Sequence, residues 1–258
     1  MSLFRGEPPL RGVSPLTLTY ARWQDRWHPH AAVLLHPFDF RRRWFRELQG
    51  FYRHLAREEF WPFYRRERRR AQYLEVEVAE VEILEVYART EWFILRQLYY
   101  RRDDCYHAVA ATVPPGGWLL EFGAGGGPVT AWIRADRPDV KCLAVDLEDA
   151  RTTAFLRWRW RHDTCVWVNP LTPFAVDCVT AFEVLEHLPD PLKTLEAITA
   201  NLYTGGYLHL NLTVDEPKGL DLATPAQADA VRAWLGSSAW EAVVPLHVDP
   251  IHACYRKR

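Results

Sequence analysis

The ten residues Leu119-Leu120-Glu121-Phe122-Gly123-Ala124-Gly125-Gly126-Gly127-Pro128 limit what this chain can fold into more than any other segment. A short apolar run enters a glycine cluster and leaves it through a proline that opens a helical stretch. The first glycine permits a sharp turn. The next lets another group approach the backbone where a Cβ would otherwise stand. Pro128 suits the first turn of a helix, where its missing N–H costs nothing. Strand, glycine turn and helix in that order begin a parallel βαβ unit rather than a hairpin.

The same texture continues to the C-terminus. After the break at Pro114-Pro115-Gly116-Gly117, apolar runs at Trp118–Phe122, Lys141–Val145, Cys165–Val168, Asp177–Phe182 and Tyr207–Leu212 alternate with helical segments near 128–136, 149–161, 190–202 and 225–236. Extended pieces at Trp240–Leu246 and His252–Tyr255 close the chain. The alternation predicts an α/β fold: a doubly wound, mostly parallel seven-stranded sheet with an antiparallel hairpin at its C-terminal edge. Before Pro114 the spacing is different. Residues 1–16 read as an irregular arm. From about Tyr20 to Thr112 the apolar positions recur at helical intervals, as at Phe45, Leu48, Tyr52 and Leu55. The expected organisation is an all-helical extension over 1–113 and a Rossmann-like domain over 114–258.

Charge excludes some partners. The net charge of −1 gives no global case for nucleic acid or a membrane surface, and no apolar run reaches the roughly 18 residues of a membrane span. Locally, residues 41–70 hold eleven Arg against four Glu, and residues 71–91 hold six Glu against one Arg. The two stretches read as helix faces that pair with each other. The alternative is that Arg41–Arg43 and Arg65–Arg70 attract an anionic acceptor or a nucleic-acid backbone. Five scattered cysteines without a CxxC pair read as reduced thiols of a cytoplasmic protein. No His, Cys and carboxylate cluster has metal-ligand spacing, so no metal is expected.

Two further motifs follow the glycines. The second strand ends Leu143-Ala144-Val145-Asp146, about 20 residues on, where a carboxylate suits a ribose diol or the N-cap of the next helix. The fourth strand reads Val176-Asp177-Cys178-Val179-Thr180-Ala181-Phe182-Glu183-Val184-Leu185-Glu186-His187-Leu188-Pro189-Asp190-Pro191. With all three motifs in order, residues 115–258 resemble the class I S-adenosylmethionine-dependent methyltransferases, in their small-molecule branch with the ubiquinone and menaquinone biosynthesis enzymes. That family shows E-x-G-x-G-x-G after its first strand, an acidic residue ending the second, and an LEH-x-x-D-P stretch after the fourth.

The resemblance implies transfer of a methyl group from S-adenosyl-L-methionine, leaving S-adenosyl-L-homocysteine, to an O, N or C nucleophile of a small, anionic or aromatic acceptor. It implies that Gly123, Ala124 and Gly125 pass under the methionine part of the cofactor, with Phe122 and Gly127 also in the cofactor site and Glu121 beneath the loop. Asp146 would bind the ribose, Leu147 would pack on the adenine, and Phe182 and Glu183 would lie beside the cofactor. Where the family often ends its third strand in an acid, this chain has Asn169, whose carbonyl can still accept from adenine, followed by Pro170, which removes a backbone N–H, so adenine recognition is expected to be looser or shifted to Leu171. His187 is the candidate general base, against a structural role within the Leu185–Leu188 turn. Glu186 reads as a local structural partner. The aromatic and Arg-rich helices before residue 113 are the expected lid and acceptor pocket. Two other functions fit the same motifs: an RNA or protein methyltransferase that binds through the Arg-rich helices, and a non-catalytic S-adenosylmethionine-binding scaffold.

Overall fold

Side chains alternate between the two faces of a strand, so parallel strands in register line up like faces. In the computed structural model, which describes residues 40–51, 53, 103–148, 150–170, 174–212, 221–246 and 252–258, this alignment organises the domain. The strands are β1 (Trp118–Phe122), β2 (Lys141–Val145), β3 (Val166–Val168), β4 (Val176–Ala181), β5 (Leu202–Leu210), β6 (Trp240–Val244) and β7 (Ala253–Lys257). They form one seven-stranded sheet in the order β3-β2-β1-β4-β5-β7-β6. The first five are mutually parallel; β7 runs antiparallel to β5 and β6. The expected fold class therefore holds, including the antiparallel C-terminal edge.

Leu119 pairs with Cys142 on one side and Cys178 on the other, while Leu120 pairs with Leu143 and Val179. The first set faces α2 (Asp103–Thr112) and α3 (Pro128–Asp136), meeting Tyr106, Val109, Val129 and Ile133. The second faces α5 (Pro191–Thr199) and α6 (Pro225–Leu235), meeting Leu195, Ala228, Val231 and Leu235. On the face of α2 and α3, α4 (Arg151–Trp160) sets Leu156 against Ala124 and Ala144. Two helical layers thus cover the sheet.

Local chemistry starts the helices where the sequence places the signals. Asp190 accepts from Lys193 N at 3.0 Å ahead of Pro191, and Thr224 and Gln227 form a capping box ahead of α6. The last helix of the region assigned to the N-terminal extension, α2, packs on the sheet. Arg137 at the end of α3 donates to Ala110 O at 2.9 Å and Val113 O at 3.3 Å, satisfying carbonyls at the C-terminus of α2. β5 begins at Leu202, five residues before its expected start, and shortens the preceding helix. Val176 already pairs with Leu202, and the register between β4 and β5 shifts before Cys178.

The chain divides into two compact units, residues 1–73 with 98–100 and residues 74–97 with 101–258. In the first, α1 (Phe40–Phe51) buries Leu48 and Phe51. The acidic helix expected over 75–91, the Arg65–Arg70 run and Leu171 lie outside the described residues.

Ile133 is fully buried between α3 and the sheet. Ile133→Ala is expected to lower the unfolding free energy by about 2–5 kcal/mol, and Ile133→Val by about 0.5–1.5 kcal/mol. Urea denaturation of both variants checks the ratio.

Candidate active site

The carboxyl ends of β1, β2, β4 and β5 lie side by side, and the glycine loop leaves the first of them. Gly123 has φ +66° and Gly127 has φ +70°, the left-handed region that excludes most side chains. A Cβ on Gly123 would come within 2.5 Å of Val184, and one on Gly127 within 2.8 Å of Leu156. Both glycines are therefore demanded by strain and by close packing of the protein on itself.

Beneath the loop, the buried Glu121 side chain accepts from Val129 N at 3.0 Å and Thr130 N at 2.8 Å. These are second and third residues of α3, so the carboxylate satisfies first-turn amides that have no partner within the helix. Burial pushes its pKa up to about 7, against the lowering effect of the Thr130 and Val129 bonds and of Arg159. Arg159 on α4 donates to Gly126 O at 2.6 Å and lies over the Trp160 ring. It pins the far side of the loop. The sequence reading missed it; its only signal was an Arg–Trp alternation at the end of α4.

At the end of β2, Asp146 is half-buried and accepts from Gly125 N and, at 2.7 Å, from Leu147 N. Burial holds its carboxyl above the usual aspartate range despite those bonds. Leu147 beside it is exposed. Asn169, also left-handed at φ +45°, clamps this corner: its Oδ1 accepts from Asp146 N at 2.9 Å, and its Nδ2 donates to Asp146 O at 2.8 Å and Glu148 Oε2 at 2.7 Å. Its amide is thus engaged in holding Asp146.

A second clamp stands at the end of β4. The buried Asn211 accepts from Glu183 N at 2.6 Å through Oδ1 and donates to the Glu183 carboxylate through Nδ2. It holds Glu183 at φ +56° with its side chain exposed, next to the half-buried Phe182. Asn211 carried no signal in the sequence, because its partner is 28 residues away.

The turn after β4, Leu185–His187, brings His187 Nδ1 to 3.1 Å from Asp221 Oδ1. His187 Nε2 lies 3.9 Å from Glu186 Oε1. The Glu186 carbonyl accepts from Leu222 N at 2.8 Å and Ala223 N at 3.0 Å. The turn is thereby tied to the segment that enters α6. Glu186 is buried, its Oε2 has no hydrogen-bond partner, and burial raises its pKa to about 7.

The profile of a family described as a methyltransferase domain matches residues 94–239, more than half of the chain. The chain belongs to that family, and its sheet is that of the class I S-adenosylmethionine-dependent methyltransferases. No curated protein matches the chain. Among solved structures it is similar to the pyocyanin biosynthetic protein PhzM, with 13% identity, a TM-score of 0.48, and 64% of this chain and 57% of that one covered. It is also similar to the O-methyltransferase NcsB1 from neocarzinostatin biosynthesis, solved with S-adenosylmethionine and 2-hydroxy-5-methyl naphthoic acid, with 14% identity, a TM-score of 0.47, and coverage of 65% and 57%. An rRNA methylase from Streptococcus thermophilus matches at 14% identity with a TM-score of 0.44, covering 61% of this chain and 98% of its own. The match thus spans little more than half the length of PhzM and NcsB1. No described helix is long and apolar enough to cross a membrane.

The raised carboxyls predict a pH effect. Between the ordinary glutamate value of 4.5 and about 7, the folded protein keeps a proton on Glu186 that the unfolded chain has released. Its contribution to stability is therefore present at low pH and lost as pH rises through that window. The neutral His209, with its pKa lowered from 6.5 to about 3, works in the opposite sense, so the single group is read by difference. The unfolding free energy of the native chain minus that of Glu186→Gln is expected to fall from pH 4.5 to 7 and then level. A difference independent of pH would count against the assignment.

Proposed function

We propose that this chain transfers the methyl group of S-adenosyl-L-methionine to a nucleophilic O, N or C atom of a small-molecule acceptor. The observation that carries the reading is the carboxylate under the glycine loop. In dinucleotide-binding folds a pyrophosphate sits on the first-turn amides of the helix after the glycines. Here Glu121 occupies those of Val129 and Thr130, and an anion brought to the loop would meet a buried carboxylate. With Asp146 and Glu183 at the neighbouring strand ends, these acceptor carboxylates suit a ligand that carries positive charge and a ribose diol and lacks phosphate.

The proposed roles follow the chain. Phe122, Gly123, Ala124, Gly125 and Gly127 would lie along the methionine part of the cofactor. Asp146, already fixed by Gly125, Leu147 and Asn169, keeps lone pairs for two ribose hydroxyls. The exposed Leu147 offers an apolar face for the adenine. Asn169 would act at one remove, by holding Asp146. Phe182 and Glu183 would border the transferring end. When bound, the cofactor supplies an electrophilic sulfonium methyl. The chain's own contribution is to hold that methyl and the acceptor in line and exclude water, which can supply much of the rate.

Calorimetric titration tests the cofactor. Micromolar binding of S-adenosylmethionine and S-adenosylhomocysteine, without binding of NAD, is expected; NAD binding, or none of the three, would overturn the reading. Asp146→Ala removes charge-assisted bonds worth about 1.5–3 kcal/mol, so affinity should fall about 10- to 150-fold. The Asp221 and Glu186 contacts favour a structural role for His187. Under that role His187→Ala lowers the melting temperature with near-normal turnover. A general base would instead show a loss of about 10²–10⁴ in kcat with cofactor affinity retained.

A further inference from the structure

At the edge of the sheet opposite the C-terminal hairpin, β3 has β2 on one side and, among the described residues, no strand on the other. Cys165 O accepts from Cys142 N at 2.8 Å, and Asn169 N donates to Ala144 O at 3.0 Å. Backbone groups of successive residues point to opposite sides of a strand. Cys165, Trp167 and Asn169 therefore serve β2, while the backbone groups of Val166 and Val168 point outward. The Val166 amide turns back to Asp163 O at 3.2 Å. The outward edge thus presents the Val166 carbonyl and the amide and carbonyl of Val168: an acceptor, a donor and an acceptor. Such a row is a template for another extended segment.

A groove runs along this edge. Its volume is about 590 Å³, and it is lined by Val166, Trp167 and Val168 of β3, by Arg157 and Trp160 of α4, and by the turn 161–164 between them. Val166 pairs with Cys142 and points to the face that α4 covers, as does Val168; Trp167 pairs with Leu143 and points to the other face. A cavity that touches both sets passes along the backbone edge of the strand rather than over one face of the sheet.

The rim of the groove is basic. Arg157, Arg161 and His162 are exposed. Asp163, the one acid of the lining, is taken up by Arg134, whose Nε and Nη2 donate to it at 2.9 Å and 3.2 Å. Arg157 already holds a carboxylate, that of Glu148, in an exposed pair that another carboxylate can displace at little cost. Arg161 is steadied over the Trp158 ring at 4.5 Å. A second copy of this chain would set these arginines against their own counterparts, and like charges on paired strands repel. Nor are the tryptophans bare platforms for nucleobases. Trp167 packs on Trp118 with ring centres 4.9 Å apart, and Arg159 lies over Trp160 at 5.0 Å.

We propose that this edge binds a partner protein through an extended acidic segment that adds to the sheet beside β3. The partner's backbone pairs with the outward groups of Val166 and Val168. Its side chains alternate between the two faces of the extended sheet. Those on the α4 side meet Arg157 and Arg161 and are carboxylates. Those on the other side lie beside Trp167 and are apolar, with β-branched residues suiting a strand. The segment recognised is thus one of alternating acidic and apolar residues. So short an edge gives a weak, reversible contact. Such docking is independent of methyl transfer.

Fluorescence anisotropy of a labelled peptide of alternating glutamate and valine tests the surface on the full chain. Saturable binding is expected, and none of a peptide with lysine in place of glutamate. Arg157→Glu combined with Arg161→Glu should weaken the acidic peptide about tenfold or more. The same variant should gain the lysine peptide, which an unfolded chain would not do. Hydrogen exchange at the Val168 amide should be fast in the free chain and slowed by the acidic peptide. Val168→Pro removes that outward N–H at an edge position, where proline is tolerated, and should abolish peptide binding while the chain still melts cooperatively. No binding by the native chain, binding indifferent to the charge reversal, or unchanged exchange at Val168 overturns the proposal. So does a dimer in sedimentation equilibrium that Val168→Pro dissociates, which gives the edge to a second copy. Displacement of the peptide by oligouridylate gives the edge to nucleic acid and overturns it as well.

Discussion

A buried carboxylate satisfying the start of a helix is the interaction on which the rest of the site depends. Glu121 points below the loop, and the amides of Val129 and Thr130 come down to meet it. Unmade bonds on either side would leave a buried charge or orphaned amides, each costly. The chain between Glu121 and Val129 must therefore fold back within a few residues. It does so through left-handed glycines at 123, 125 and 127. The raised Glu121 pKa is the mark of that arrangement: the carboxyl is held by geometry in a place that penalises its charge.

Around this centre, the strand ends carry the same device twice. Asn169 after β3 holds Asp146 after β2, and Asn211 after β5 holds Glu183 after β4. An amide side chain offers one acceptor and two donors, so it can bracket a neighbouring residue where the strand ladder stops. Each clamp includes a non-glycine residue at positive φ, Asn169 in one and Glu183 in the other. Such conformations persist only where surrounding bonds over-determine them. The two acids are thus held at fixed positions on either side of β1. Asn169, which the family pattern places near adenine, is also part of the frame that holds Asp146.

The third element is a hydrogen-bonded line through His209, from Thr112 to His252, which joins α2, β5 and the start of β7. It gives a physical reason for α2 to belong with the sheet: Thr112 is both the last residue of that helix and the fixed end of the hydrogen-bond chain. Buried polar networks of this kind are stable only when every member is satisfied.

Much of the fold was legible because it rests on local periodicity. The strand–helix alternation, the glycine turn, the proline and aspartate at the start of α5, and the apolar face of each strand are written in residues a few positions apart. Asp146 and Glu183 could be placed at strand ends for the same reason. The partners of those acids could not. Asn169 and Asn211 lie 23 and 28 residues from the groups they hold, and His209 and His252 lie 43 apart. The start of β5 was hidden too, because it rests on the pairing of Leu202 with Val176, 26 residues away in the chain. By itself, then, the sequence determined the class of sheet, the loop that a cationic nucleoside ligand would need, and which acids stand at its rim. Only the tertiary structure decided which side chains hold those acids and which strand forms the basic edge of the sheet. Those choices depend on register between strands distant in the chain, and hydrogen bonds across a sheet leave no period in the sequence.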